Sequence, residues 1–354
     1  MLVNLKDLEL VYDEEIKKNV KNKQKIFNFE KNKFQYLVDI KRVLENNLYD
    51  GGKYNIFIIY KPKVRIVMSQ SIYDKIINHY VTRFILMPKL KKYLNHNNCA
   101  TRKGMGTSYA IRLLKKYIEY YKKHYKKLYF LKMDIQKYFY SIDHEVVLKL
   151  IKNDLNDEEY NLIKIILDST NRPYVNKIIK NYSKTIKKDL PLYENGKGLP
   201  IGNMSSQFLA VFYMHSLHHF MEANLHLKFI CYMDDYIILN ESKEYLKLSS
   251  DIISKKIKDE LKLNLNDKKT YIANMKEGIP FLGHNFKIKN NKTILKLCQN
   301  SRKNIKKGVK RSKYYYNKGY IELNQLFSSI ETYLHSYTFI HDSSVKNIIQ
   351  NYWY

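Results

Sequence analysis

Two acidic places in the chain have the residue types and setting for metal-dependent phosphoryl chemistry. The first is Tyr232-Met233-Asp234-Asp235, an aspartate pair with apolar runs on both sides, Phe229-Ile230-Cys231 and Tyr236-Ile237-Ile238-Leu239. Adjacent carboxylates repel one another, and the repulsion raises a pKa. A divalent cation removes that problem, because hard carboxylate oxygens hold Mg²⁺ while part of its water shell is left for substrate phosphates. An Asp-Asp turn on a surface is common, but the flanking apolar runs draw this one towards a buried sheet. The second place is Asp134, at the end of the apolar run Leu128-Tyr129-Phe130-Leu131-Lys132-Met133. Alone, Asp134 reads as a helix N-cap; beside the acidic hairpin it supplies a further carboxylate. Two-metal phosphoryl transfer uses carboxylates on adjacent strands to hold ions about 3.5–4 Å apart. One ion activates the attacking hydroxyl, and the other holds the triphosphate and its leaving group.

The elements that must position these groups can be read from periodicity. The runs around Asp234-Asp235 read as a β-hairpin with an acidic turn, and residues 128–133 as a compact strand. Residues 1–50 read as helical up to the break at Gly51-Gly52. Residues 54–60 and 64–68 are β-branched and aromatic and flank Lys61-Pro62-Lys63, which gives a basic ribbon. A helix is expected over 73–93. Gly104-Met105-Gly106-Thr107 forms a turn, and Ser108 is expected to cap the helix that runs on to His124. Helix resumes at His144. Residues 191–202 are loop, 205–225 one buried helix and 243–261 a charged amphipathic helix. Phe281-Leu282-Gly283 opens a short hairpin. From Ser301 the chain is basic and Tyr-rich, with helical periodicity over 324–350. No Pro/Gly/Ser linker separates these segments, so subdomains of one folded unit are expected.

Composition limits the function. The 354 residues are 45% hydrophobic and 14% aromatic, enough for a sizeable core. Lys+Arg is 63 against Asp+Glu 34, a formal net charge of +29, which calls for a polyanionic partner, nucleic acid before an anionic membrane. Asn, Lys, Ile and Tyr are abundant, as an AT-rich genome would make them, so any one lysine reads as a solvated face and only the sum carries the argument. Cys99, Cys231 and Cys298 are too few and too scattered for a disulfide framework or a zinc site, which fits a reducing compartment. The first residues lack a signal-peptide apolar run, and no stretch approaches the ~18 apolar residues of a membrane span. A soluble, cytoplasmic protein with no membrane partner is expected.

Five segments in order then carry a family resemblance. Lys132-Met133-Asp134-Ile135-Gln136-Lys137-Tyr138-Phe139-Tyr140-Ser141-Ile142-Asp143-His144 resembles the first palm motif of reverse transcriptases, and Tyr232-Met233-Asp234-Asp235 their active-site tetrad. Gly198-Leu199-Pro200-Ile201-Gly202-Asn203-Met204-Ser205-Ser206-Gln207 resembles the motif that packs under template and incoming nucleotide. Lys268-Lys269-Thr270 and Phe281-Leu282-Gly283 fall where the later palm motifs would. The resemblance implies an α+β right-hand polymerase fold. Its parts would be an N-terminal helical extension (1–50), fingers (51–128), a palm of antiparallel sheet backed by helices (129–290, with a fingers-like insertion around 150–190) and a helical thumb (291–354).

The resemblance also implies roles. Asp134, Asp234 and Asp235 would bind two Mg²⁺ ions, with Mn²⁺ as a substitute, and Asp234 is the firmer ligand of its pair. Phe139 would close the sugar pocket against a 2′-hydroxyl, or simply pack in the core. Gln207 would lie beside the nascent base pair. Lys269 would reach the triphosphate or protonate pyrophosphate, a role that sequence alone does not separate from Lys268. Lys63 and Arg65 lie on the ribbon, where a guanidinium fork suits triphosphate oxygens. Arg102 and Lys103 precede a glycine turn resembling one near the template strand. Arg302, Lys306, Lys310 and Arg311 in the thumb would grip the duplex backbone, with Tyr314, Tyr315 and Tyr316 stacking nearby; a basic solvated helix is the plainer reading. Ile330-Glu331-Thr332-Tyr333-Leu334-His335-Ser336-Tyr337 resembles the thumb of prokaryotic enzymes of this kind.

Ser206-Gln207 closes its motif as in diversity-generating retroelement and bacterial defence-associated reverse transcriptases. Group II intron and retron enzymes usually end it in Ser-Pro. No ribonuclease H, integrase, endonuclease or maturase domain is expected after Tyr354. The expected function is RNA-directed DNA synthesis on a dedicated RNA in antiviral defence, the alternative being the copying of a retroelement template repeat. A catalytically silent RNA-binding module, an RNA-dependent RNA polymerase and untemplated or protein-primed synthesis stand as further alternatives. Expected partners are structured non-coding or template RNA, an RNA–DNA hybrid, dNTPs, and an accessory protein or a second copy.

Overall fold

The apolar ribbon predicted around residue 60 is an antiparallel hairpin, β1 (Asn55–Ile59) with β2 (Arg65–Ser69), paired from Asn55↔Ser69 to Ile59↔Arg65. Alternation sorts its side chains: Ile56, Ile66 and Met68 are buried while Phe57, Ile59 and Arg65 are exposed. The buried face packs with Val175 and Ile179 of the helix Pro173–Ile186. These descriptions come from a computed structural model that covers residues 1–60, 63–290, 292–335 and 349–351. Lys61 on the ribbon, Ser336-Tyr337 of the thumb motif and the expected helix over 336–348 lie outside the described residues.

The chain forms two compact units, each assembled from three segments. The first comprises residues 1–101, 135–224 and 252–265. Its amino-terminal part is helical, with helices Leu5–Val11, Lys23–Glu30 and Lys33–Glu45. The expected helix over 73–93 is Ile72–Tyr80, a wide turn at Val81–Leu86, then Met87–Leu90 and a last tight turn at Lys91–Tyr93. The segment 198–202 binds the ribbon: the Met68 N–H donates to the Ile201 carbonyl at 2.8 Å. Gly202 has φ 134, and a Cβ there would stand 2.7 Å from the Met68 carbonyl oxygen, so only glycine fits this approach. The helix expected as one over 205–225 is two, Met204–Tyr213 and His215–Ala223. The break falls at Met214 (φ −90, ψ 3), where the His215 ring bonds the Phe212 carbonyl at 2.8 Å. A side chain that takes a late helix carbonyl favours a local turn over continuation.

The second unit comprises residues 102–134, 225–251 and 266–354. The helix Thr107–His124 has Gly106 at its N-cap (φ 129) and no side-chain cap bond, so Ser108 lies inside the first turn and does not cap it. It packs on a four-stranded antiparallel sheet: β3 (Tyr129–Asp134), β4 (Lys228–Tyr232), β5 (Asp235–Asn240) and β6 (Tyr271–Asn274), in the order β4-β5-β3-β6. Phe229, Ile230, Cys231 and Tyr236 to Leu239 are all buried, the unbroken apolar pattern of strands covered on both faces. A second sheet follows, β7 (Ile279–Phe281), β8 (His284–Lys289) and β9 (Lys292–Leu297). Leu282 and Gly283, with φ 47 and 80, make the two-residue β7–β8 turn, in the left-handed conformations such hairpins require. Helices Gln299–Asn317 and Leu323–His335 pack on each other. Among the described residues no helix is long and apolar enough to cross a membrane. Antiparallel sheets with segregated helices make the class α+β, as expected.

Candidate active site

Hairpin geometry concentrates the carboxylates. Tyr232 pairs with Asp235, so the turn consists of Met233 and Asp234, and Asp235 is the first residue of β5 rather than part of the turn. Met233 adopts φ 59, a left-handed conformation that costs a non-glycine residue on the order of 1 kcal/mol. On its other side Asp235 pairs in register with Asp134, the last residue of β3. Side chains directly opposite one another in an antiparallel pair have Cβ atoms about 4.5–5.5 Å apart. The fold therefore places Asp134 beside Asp235, with Asp234 next along the turn.

Two lysines hold this acidic group. The Lys269 ammonium donates to Asp134 Oδ2 at 2.6 Å, and the Asn266 amide donates to Asp134 Oδ1 at 3.1 Å. The Asn266 N–H also donates to the Asp134 carbonyl at 2.8 Å, and the Lys269 N–H donates to the Asn266 carbonyl at 2.9 Å. That turn returns Lys269 to the strand end, so it is Lys269 whose ammonium meets Asp134. The Lys132 ammonium lies 3.2 Å from Asp235 Oδ1 and donates to the Pro280 carbonyl at 2.8 Å. Lys132 and Asn266 were not among the residues singled out from sequence. The one signal was Lys132 itself, a lone charge in an otherwise apolar strand; Asn266 carried none.

Burial pushes the Asp235 carboxyl up from its ordinary pKa, Lys132 draws it down, and the charges of Asp234 and Asp134 add to the rise. Asp235 Oδ1 is buried and accepts no aligned hydrogen bond, although Lys132 is within ion-pair distance. An orphaned carboxylate oxygen beside a second carboxylate suits a hard divalent cation. Among the described residues no three His, Cys, Asp or Glu side chains converge as a ready ligand cluster. Lys269 occupies one oxygen of Asp134, and a cation bound there competes with it.

The first unit carries the candidate nucleotide-binding residues. Arg65 opens β2 and is exposed, as is Lys63 before it. Phe139 is half-buried in the short helix Tyr138–Ser141, and its carbonyl accepts from the Leu199 N–H at 2.7 Å. Gln207, also half-buried, lies in the first turn of the helix Met204–Tyr213. Backbone bonds thus run from β2 through Ile201 and Leu199 to Phe139, with Gln207 shortly after on the same segment. In the second unit, Arg102 and Lys103 sit in the open loop before Thr107, half-buried and exposed respectively. The helix Gln299–Asn317 buries Ile305, Gly308 and Val309 and exposes Lys306, Lys310 and Arg311, with Arg302 half-buried. Tyr314, Tyr315 and Tyr316 are exposed.

The chain is similar to solved telomerase structures. One, apo telomerase from Candida tropicalis truncated from its C-terminal domain, matches at 17% identity with TM-score 0.48, over 70% of this chain and 55% of that one. Telomerase from Candida albicans in complex with a fragment of telomeric RNA matches at 13% and 0.49, over 85% and 55%. Apo telomerase from Candida tropicalis matches at 14% and 0.46, over 86% and 57%. The chain thus spans a little over half the length of these proteins. No curated protein matches it significantly in sequence. The family model for reverse transcriptase (RNA-dependent DNA polymerase) matches residues 53–286, which take in β1 to β7, the start of β8, all three aspartates and both lysines that hold them. With more than half of its length inside that match, the chain belongs to the reverse transcriptase family.

Proposed function

We propose that the protein is an RNA-directed DNA polymerase that extends a primer hydroxyl along an RNA template. The observation that carries this reading is the register of Asp134 against Asp235 beside the Met233-Asp234 turn. Asp134, Asp234 and Asp235 would hold divalent cations, which supply charge stabilisation at the attacking and leaving oxygens when bound. Lys269, paired with Asp134 until a cation displaces it, would neutralise triphosphate or give a proton to pyrophosphate. Arg65 and Lys63 offer cations to the triphosphate, Phe139 restricts the sugar, and Gln207 supports the base pair. The exposed cations of the helix Gln299–Asn317 grip the hybrid by its backbone. In this reading 1–50 is an extension, 51–128 fingers, 129–290 palm and 291–354 thumb.

The test is dNTP incorporation on an RNA template with a DNA primer, with Mg²⁺ or Mn²⁺. Asp234→Ala should abolish incorporation and leave RNA binding nearly intact; synthesis retained in Asp234→Ala/Asp235→Ala would refute the site. For the biological role we propose copying of a dedicated RNA in antiviral defence, supported by the resemblance at residues 201–207. Sequencing nucleic acid that co-purifies from the native host tests it: one dominant RNA with complementary DNA only in the wild type is expected. DNA complementary to a template-repeat RNA, with a variable-repeat target and a small accessory gene in the gene neighbourhood, would favour the template-repeat alternative.

A further inference from the structure

At the end of the β4-β5-β3-β6 sheet remote from the aspartates, where β4 begins and β5 ends, lies an open cleft of about 590 Å³. That volume is within the roughly 300–1,000 Å³ of ligand sites. It is lined by Tyr120, Tyr121, Tyr125, Tyr245, Lys228 and Glu241 among others. β5 runs from Asp235 to Asn240, so at about 3.3 Å per residue the cleft is on the order of 17 Å from the carboxylates.

Its floor is fixed. The Tyr121 hydroxyl donates to the Leu239 carbonyl and the Tyr245 hydroxyl to the Leu225 carbonyl, both at 2.9 Å. One wall is cationic: Lys228 Nζ stands 4.6 Å from the centre of the Tyr120 ring. The other wall is Tyr125, which is 41% exposed and lies 5.5 Å from Tyr121, centre to centre. Its neighbours in sequence include Lys123, Lys126 and Lys127, all exposed. An open aromatic face among cations is the arrangement on which unpaired bases stack. Glu241 decides what kind of contact is made. A carboxylate disfavours phosphate, and it accepts hydrogen bonds only. Its charge is near enough to raise the pKa of the Tyr125 phenol.

We propose that this cleft binds one unpaired base of a single-stranded nucleic acid. The base stacks on Tyr125, its Watson–Crick edge donates to Glu241, and flanking phosphates meet Lys228 and the exposed lysines 123, 126 and 127. Guanine offers an N–H and an amino group side by side to the two carboxylate oxygens. Adenine and cytosine offer one amino group, and uracil only an N–H. The site therefore favours guanine and disfavours uracil. This contact is additional to the polymerase site and lies on a different part of the sheet.

The experiment is ultraviolet cross-linking and equilibrium binding of short single-stranded oligonucleotides to the full chain, in RNA and DNA forms that differ at one central base. Cross-links are expected within residues 120–125, strongest with guanine. Tyr125→Ala should weaken binding roughly tenfold, while Tyr125→Phe, which keeps the ring, should bind like the wild type. Glu241→Gln should level the guanine-to-uracil ratio. Extension of a short primer–template with a one-nucleotide overhang should be unchanged in all three variants, so this result is separable from that of the polymerase assay. Tighter RNA binding would assign the cleft to a template-side strand, and tighter DNA binding to the product. Absence of cross-links in 120–125, wild-type binding by Tyr125→Ala, or an undiminished guanine preference in Glu241→Gln would overturn the proposal.

Discussion

Replacing Lys132 by methionine tests how the acidic centre is held. The ammonium is 3.2 Å from Asp235 Oδ1, with side-chain exposures of 16% for Lys132 and 26% for Asp235. At an effective dielectric of about 20 this attraction is gross on the order of 5 kcal/mol. Methionine keeps the stem's packing and removes the cost of burying the ammonium, which offsets part of the loss. What remains is Asp235 facing Asp134 and Asp234 with its buried countercharge removed. Breaking such a pair from one side costs roughly 3 kcal/mol. Burial already raises the Asp235 carboxyl above its ordinary 3.8, against the pull of Lys132. An acid with a raised folded-state pKa costs nothing while protonated in both states and destabilises as pH climbs through the folded value. Lys132→Met raises that value further, so its penalty should be full near neutral pH and shrink on acidification. The assay is urea unfolding of Lys132→Met, Asp235→Asn and the double variant, near neutral pH and again in acid. The double variant should recover about 2 kcal/mol relative to additivity. A Lys132→Met loss below about 0.5 kcal/mol at neutral pH, or strict additivity, would refute the argument.

Lys269→Met removes the partner of Asp134, but Lys269 is 48% exposed, so stability should fall by less than about 1 kcal/mol. The same change should tighten divalent-cation binding, measured calorimetrically, and lower the incorporation rate about 100-fold if Lys269 is the proton donor. Phe139→Val should admit ribonucleotides, read as the rNTP-to-dNTP incorporation ratio; no change would return the ring to simple packing. Gly202→Ala places a methyl 2.7 Å from the Met68 carbonyl oxygen at φ 134 and should cost on the order of 2 kcal/mol in urea unfolding.

Much of this fold was legible because local rules act over few residues. β-Branched and aromatic runs marked β1 and β2, and unbroken apolar runs marked β3, β4 and β5. Two acidic stretches next to such runs marked the carboxylates. Errors arose where a local preference met a competitor. Ser108 is a good capping residue by type, but Gly106 already supplies the backbone entry to the helix, one residue before Thr107. Residues 205–225 are apolar enough for one helix, yet the His215 ring bonds the Phe212 carbonyl and the helix ends at Met214.

The sequence by itself determined β1 to β5, the acidic hairpin and the position of the three aspartates beside it, since residue type and turn position are properties of neighbours in the chain. Only the tertiary structure decided which residue faces which. The register sets Asp235, rather than Asp234, opposite Asp134. Asn266 turns Lys269 back onto Asp134 from a residue separation of 135. Strand pairing brings Lys132, opposite Ile237, diagonally beside Asp235, and its ammonium also meets the Pro280 carbonyl. The physical reason is that charge pairing acts through space and is strengthened by burial, and neither the distance nor the burial exists until the strands have paired.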